Sequence, residues 1–183
     1  PYTTLFRSYQ NAELIFENAR VPHANVVGGV GTGSVKAGKG DTTGGDIFGD
    51  LELAANALGV CDDACQLSMS FAKTHKRAGK YLMEHQLVQL KLNEMLALTE
   101  ALRSYVMRVA WQHDHGEHSA NAGLVMNWST DVIQRVTRLN MEIHGAEGCM
   151  MVARVDKLVR DAMVWTHLAG DTVQRIKILK RIK

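Results

Sequence analysis

After Pro22 the chain contains no proline, and from about Leu51 its apolar residues recur at alternating spacings of four and three. Strands alternate every second residue, whereas this spacing lines up side chains on one face of a helix. Leu53, Ala57, Val60, Ala64, Leu67 and Phe71 mark a first face. Val88, Leu92, Met95, Thr99, Leu102, Val106 and Val109 mark a second. Ala122, Val125, Ser129, Val132, Val136, Leu139 and Ile143 mark a third, and Val155, Leu158, Ala162 and Trp165 begin a fourth. With no proline to break them, three long helices and a shorter one predict a mostly α fold, an antiparallel four-helix bundle over residues 50–183. The spacing near 3.5 favours crossing angles of about 20°. Residues 173–183 carry Arg175, Lys177, Lys180, Arg181 and Lys183 with no acid, which suits a final helix with a solvated cationic face.

Upstream of the bundle the pattern changes. Residues 12–21 have a strand-like core in Leu14, Ile15 and Phe16, closed by Val21 before Pro22. A lone strand does not persist in water, so residues 9–27 read as the remnant of a β domain. Residues 28–49 hold nine glycines and read as a linker. Gly29, Gly31 and Gly33 are no dinucleotide loop, because no apolar helix follows to aim its N-terminus at a phosphate. Residues 1–8, PYTTLFRS, look like the translation of a short-read sequencing adapter. They are read as an assembly scar, with the gene expected to extend further upstream.

Composition narrows the function classes. A net charge of +2, with no basic arm and no acidic tail, does not point to nucleic acid. No apolar run approaches about 18 residues, so no membrane span is expected. Cys61, Cys65 and Cys149 make an odd set that suits a reducing cytoplasm better than a disulfide framework. Cys61 and Cys65 fall one helical turn apart, with Cβ atoms about 5–6 Å from each other. A disulfide wants about 3.8 Å, so they read as small core thiols. His113, His115 and His118 surround Gly116 in a polar turn, and no metal site is expected there.

The stretch with the most functional content is 142–172. Gly145 and Gly148 interrupt a helical pattern that is clean up to Ile143. Such a break either caps a helix or lets the backbone approach a ligand, and the residues alone leave both readings open. His-Gly-Ala-Glu-Gly at 144–148, then Arg160-Asp161-Ala162, then Ala169-Gly170-Asp171-Thr172 resembles the end of an acyl-CoA dehydrogenase. Phe16 to Pro22 resembles that family's exit from its β domain, and Gly79, Lys80, Glu84, His85 and Gln86 resemble its flavin-contacting helix start. The resemblance spans about residues 10–183 and implies an FAD-dependent α,β-desaturation of an acyl-CoA thioester.

It further implies that His85 and Gln86 contact flavin across a subunit interface, in a homo- or hetero-oligomer, dimer or tetramer. Thr172 and Gln174 match flavin-contacting positions of the last turn, and Gly145 matches the first glycine of a Gly-Gly turn. The departures are equally specific. The family's phosphate-pairing arginine falls on His75, with Arg77 two residues on as a substitute. Ala78 stands in place of a Phe, Glu142 in place of a flavin-contacting Gln, and Ala146 in place of the second glycine. The usual catalytic Glu falls on Ala169 or Gly170, neither of which takes a proton. Asp171 is the nearest carboxylate to that position, while Glu52, with Asp50, lies near the start of the first helix. The alternative implied is a base-lacking partner subunit of a hetero-oligomer.

Overall fold

The computed structural model describes residues 15–25, 47–117, 121–168, 175, 176 and 178. The chain divides into two compact units, Pro1–Asp46 and Ile47–Lys183. In the first unit, Ile15 to Asn25 is irregular apart from one 3₁₀ turn, His23–Asn25, tied by the Asn25 N–H donating to the Pro22 carbonyl at 2.9 Å. Ile15, Phe16 and Val21 are exposed, and Ile15 and Phe16 form no strand. Leu14, the first residue of the expected strand core, lies outside the described residues.

The second unit is built from four helices: α1 Ile47–Thr74, α2 Gln86–Asp114, α3 Asn121–His144 and α4 Val155–Leu168. They run to 28, 29, 24 and 14 residues, matching the expected three long helices and one shorter. Short connections force neighbours antiparallel, so the unit has two ends. One carries the turns after α1 and α3; the other carries the start of α1, the α2–α3 turn and the end of α4. Trp165 confirms the second grouping, because its indole N–H donates to the Leu53 carbonyl at 3.1 Å.

α3 is the central helix, packed against α1, α2 and α4. It buries all seven expected positions and a second set as well, Met126, Thr130, Ile133, Thr137 and Asn140. Buried hydroxyls on α3 donate back to their own helix: Ser129 Oγ to the Met126 carbonyl at 2.6 Å and Thr137 Oγ1 to the Ile133 carbonyl at 2.8 Å. Such back-bonding removes the cost of burying an unpaired polar group.

α2 buries Leu92, Met95, Thr99, Leu102, Val106 and Val109, as its spacing predicts. On α1 the fully buried positions are smaller than expected: Ala54, Ala57, Cys61, Ala64, Ser68 and Ala72, with Leu53, Val60, Leu67 and Phe71 half-buried beside them. Small side chains along the seam let α1 approach α3 closely, and the large ones seal its flanks. The Cys61 and Cys65 thiols are free and buried, and Cys65 shares a hydrogen bond with Thr99 at 3.4 Å. Ion pairs link the helices at the rim. Arg103 pairs with Asp62 at 2.5 Å, and Arg135 grips both oxygens of Glu94 at 2.5 and 2.8 Å.

Beyond α1 the chain makes a hairpin that the spacing did not predict. Strands β1 Lys76–Arg77 and β2 Lys80–Tyr81 pair antiparallel around Ala78 and Gly79. Both turn residues have positive φ, 51° and 81°, the backbone that a two-residue hairpin requires. No helix among the described residues is long and apolar enough to cross a membrane.

Candidate functional site

The hairpin end of the bundle gathers most of the sequence-derived candidates. His85 is the N-cap of α2, and its Nε2–H donates to the Arg77 carbonyl at 3.0 Å, which clamps the hairpin onto the helix start. Glu84 accepts from the Tyr81 N–H at 2.7 Å and tightens the same corner. Gln86 follows, exposed at the first position of α2. On the far side of the corner, α3 ends at His144 and Gly145 turns the chain with φ 59°. A Cβ at Gly145 would meet nothing within 4 Å, so the backbone there is open to an approaching group. Gly148 is different: a Cβ would lie 3.2 Å from the Met141 carbonyl oxygen and 3.0 Å from His144 Cβ.

Between Gly145 and Gly148 sits Glu147, a residue that the sequence reading passed over. Its Oε1 accepts from Arg77 Nη2 at 3.1 Å, and its Oε2 lies 3.7 Å from His75 Nε2. One carboxylate thus joins the hairpin to the turn after α3. His75 is held for this role: Nδ1–H donates to the Phe71 carbonyl at 3.2 Å and the ring stacks on Phe71 at 3.7 Å. His144 lies on Phe71 at 4.2 Å and donates Nδ1–H to the Asn140 carbonyl at 2.9 Å. Burial holds His144 below the usual histidine range, so it sits neutral beneath the cluster. Signals for Glu147 were available, since an acid between two glycines at a helix end faces whatever the turn faces. Its partner, 70 residues away, was not visible without the fold.

Glu142, which stands where the resemblance expects a glutamine, is committed elsewhere. Lys91 Nζ binds its Oε2 at 2.9 Å and holds the carboxyl below the usual range, with Arg138 and Arg135 adding to the effect. At this position the negative charge is already neutralised within the chain.

The two base candidates among the described residues, Glu52 and Asp50, do not join this cluster. Glu52 is exposed near the start of α1, and 22 residues of helix at about 1.5 Å each put it about 33 Å from Thr74 along α1. Asp50, half-buried, lies at that same far end, where its Oδ2 comes 3.5 Å from the Cβ position of Gly123. Asp171, Thr172 and Gln174, together with Ala169, Gly170 and His118, lie outside the described residues. α4, which leads towards them, ends beside the start of α1 through the Trp165–Leu53 hydrogen bond. Of the His113 turn, His115 stacks on Trp111 and donates Nδ1–H to its carbonyl at 2.8 Å. Among the described residues no group of three or more His, Cys, Asp or Glu is placed to hold a metal.

An antiparallel four-helix domain, with a polar hairpin between its first two helices and a glycine turn beside it, is the class this architecture defines. Residues 49–183 match the family model described as the acyl-CoA dehydrogenase C-terminal domain, and the chain belongs to the acyl-CoA dehydrogenase family. It is 31% identical over 170 residues to an acyl-CoA dehydrogenase of Bacillus subtilis, covering 92% of this chain and 44% of that one. A probable acyl-CoA dehydrogenase of the same organism is 29% identical over 185 residues, 100% of this chain and 47% of the relative. The chain therefore spans a little under half the length of these two relatives. Butyryl-CoA dehydrogenase from Megasphaera elsdenii superposes with a TM-score of 0.69 at 27% identity, over 73% of this chain and 36% of that one.

Proposed function

We propose that this chain is the C-terminal part of an FAD-dependent oxidoreductase that desaturates an acyl-CoA thioester between its α and β carbons. The observation that carries the reading is the match of residues 49–183 to the family's C-terminal domain. The hairpin end is chemically suited to a flavin nucleotide: Gln86 is exposed at the helix start, Gly145 leaves open backbone, and Lys76, Arg77 and Lys80 supply cations. The chemistry FAD supplies when bound is acceptance of the hydride leaving the β carbon. His85 would hold the hairpin in place, Gln86 and Gly145 would contact the ring or its ribityl chain, and Thr172 and Gln174 would do so from the last turn. A carboxylate must take the α proton, and Asp171 is the first candidate, with Glu52 the second.

A base-lacking partner subunit is the second reading, and Ala169 and Gly170 favour it because neither side chain accepts a proton. Acyl-CoA would be the substrate in the first reading, and a catalytically competent homologous subunit the partner in the second. Turnover of acyl-CoA with an electron acceptor, measured on the full-length protein, separates them. Asp171→Asn is expected to lower kcat by about 10²–10⁴, as removal of a positioned base does. A loss below about tenfold, with Glu52→Gln silent too, rules out both bases. Activity that appears only on mixing with a homologous subunit establishes the partner reading.

A further inference from the structure

The hairpin end is rich in cations and poor in anions. His75, Lys76, Arg77, Lys80 and His85 fall within eleven residues, and the hairpin itself has no acid. Lys76 sits over the Tyr81 ring at 4.4 Å, and Lys80 has no carboxylate within 4.0 Å among the described residues. Glu84 is spent on the Tyr81 N–H. Among the described residues, the carboxylate that pairs with these cations is Glu147, and it faces two of them at once.

Glu147 is placed firmly. Gly145 provides the left-handed step that brings the turn back over the helix end. Gly148 packs directly on the Met141 carbonyl and fixes the turn from the other side. The glutamate side chain, however, is only half-buried, and the Arg77 side chain is mostly exposed. An exposed ion pair of this kind is weak and exchanges readily, because solvent screens it and two long side chains must be ordered to form it. A phosphate group offers Arg77 a stronger, bidentate partner with more charge than a carboxylate.

We propose that Glu147 is a built-in competitor for phosphate at this hairpin: its carboxylate occupies Arg77, and a phosphorylated ligand binds only by displacing it. Glu147 thereby sets how tightly the domain takes a pyrophosphate-bearing ligand and favours ligands with enough charge to replace it. The identity of that ligand as the flavin nucleotide rests on the function proposed above; the competition does not. Displacement frees Glu147 to swing from the hairpin, uncoupling it from the turn after α3 as the ligand arrives.

The test is isothermal titration of inorganic pyrophosphate, and separately of ADP, into the 183-residue chain at low salt. Glu147→Gln keeps the size of the side chain and removes its charge, and is expected to tighten pyrophosphate binding about threefold to fivefold. Glu147→Ala should do the same, which guards against an effect of the new amide. Adding Arg77→Gln to Glu147→Gln should abolish the gain. An equal gain for pyrophosphate and ADP identifies the bare anion as the recognised group. A larger gain for ADP identifies a nucleotide as the source of the phosphates. If both Glu147 variants bind within twofold of the parent chain, or if the gain survives Arg77→Gln, the proposal is overturned. Turnover with acyl-CoA is read separately on the full-length protein, so a full-length protein that is inert but shows the gain refutes only the desaturase reading.

Discussion

Gly145 and Gly148 are two residues with one spelling and different physics. Gly145 is needed for its backbone, since φ 59° strains any L side chain although space around it is open. Gly148 is needed for its size, since a Cβ would press on the Met141 carbonyl at 3.2 Å. Gly145→Ala should therefore cost about 1–2 kcal/mol from left-handed strain. Gly148→Ala should cost about 1–3 kcal/mol from overpacking, and it should also weaken the Arg77–Glu147 link by shifting the turn. Urea denaturation of the two variants checks both. The sequence showed a break here but could not say which glycine did what, because strain and crowding leave the same letter.

His144 makes a second residue-level prediction. Its ring lies on Phe71 near His75 and Glu147, and burial is the largest cause of its lowered pKa. The unfolded chain regains an ordinary histidine near 6.5 and so binds more protons than the native state below that pH. Stability from this group is thus full above about 6.5 and falls as pH drops towards the native value. The urea midpoint should decline between pH 7.5 and 5.5, and His144→Phe, which keeps a ring on Phe71, should flatten that decline. An unchanged slope in His144→Phe would assign the pH dependence to another group.

At the scale of elements, α2 and α3 were legible because their large apolar residues both mark the period and form the core. α1 was legible as a helix, but the centre of its buried face was not. Its bulky residues, Leu53, Val60, Leu67 and Phe71, advertise the period from the flank, while Ala54, Ala57, Cys61 and Ala64 make the closest approach. Hydrophobic spacing weighs residues by size, whereas close helix packing selects small ones. Ala57, fully buried, should tolerate enlargement poorly: Ala57→Leu is expected to cost about 1–3 kcal/mol by thermal unfolding, with helicity retained. The hairpin was illegible for a related reason. Its strands are two residues each, and Ala78 stands at φ 51° where turn chemistry leads one to look for Gly, Asn or Asp. Ile15 and Phe16, both outside any strand, show the opposite case. Local propensity was present in Ile15 and Phe16, yet a strand exists only with a ladder beside it.

For the whole molecule, the decisive fact is that the candidate residues separate to two ends. His85, Gln86, Gly145 and the Glu147 cluster share the hairpin end, while Glu52 lies about 33 Å away along α1. α4 ends at that far end, where Trp165 donates to the Leu53 carbonyl, and Asp171 lies outside the described residues. If both sets serve one flavin and one substrate, a single copy of this domain does not bring them together, so the hairpin end of one copy must meet the base of another. The hairpin end is equipped for contact. Leu87 and Leu90 at the start of α2 are 65% and 69% exposed, and Met150, Met151 and Val152, after the glycine turn, are 57%, 68% and 91% exposed. Exposed apolar residues in such a number at one end mark an interface more often than a free surface. The full-length protein should therefore sediment as a dimer or tetramer, and Leu87→Glu with Leu90→Glu should shift it towards monomer without loss of helicity. A parent protein that sediments as a stable monomer defeats this arrangement. Complementation reads the sharing of sites directly. Gln86→Ala and Asp171→Asn homomers should each be impaired, but co-assembly from an equal mixture should place one intact pair in each mixed dimer and restore about a quarter of the parent activity. If the mixed assemblies are no more active than the two homomers, the residues act within one chain or not at all, and the two-ended site is wrong.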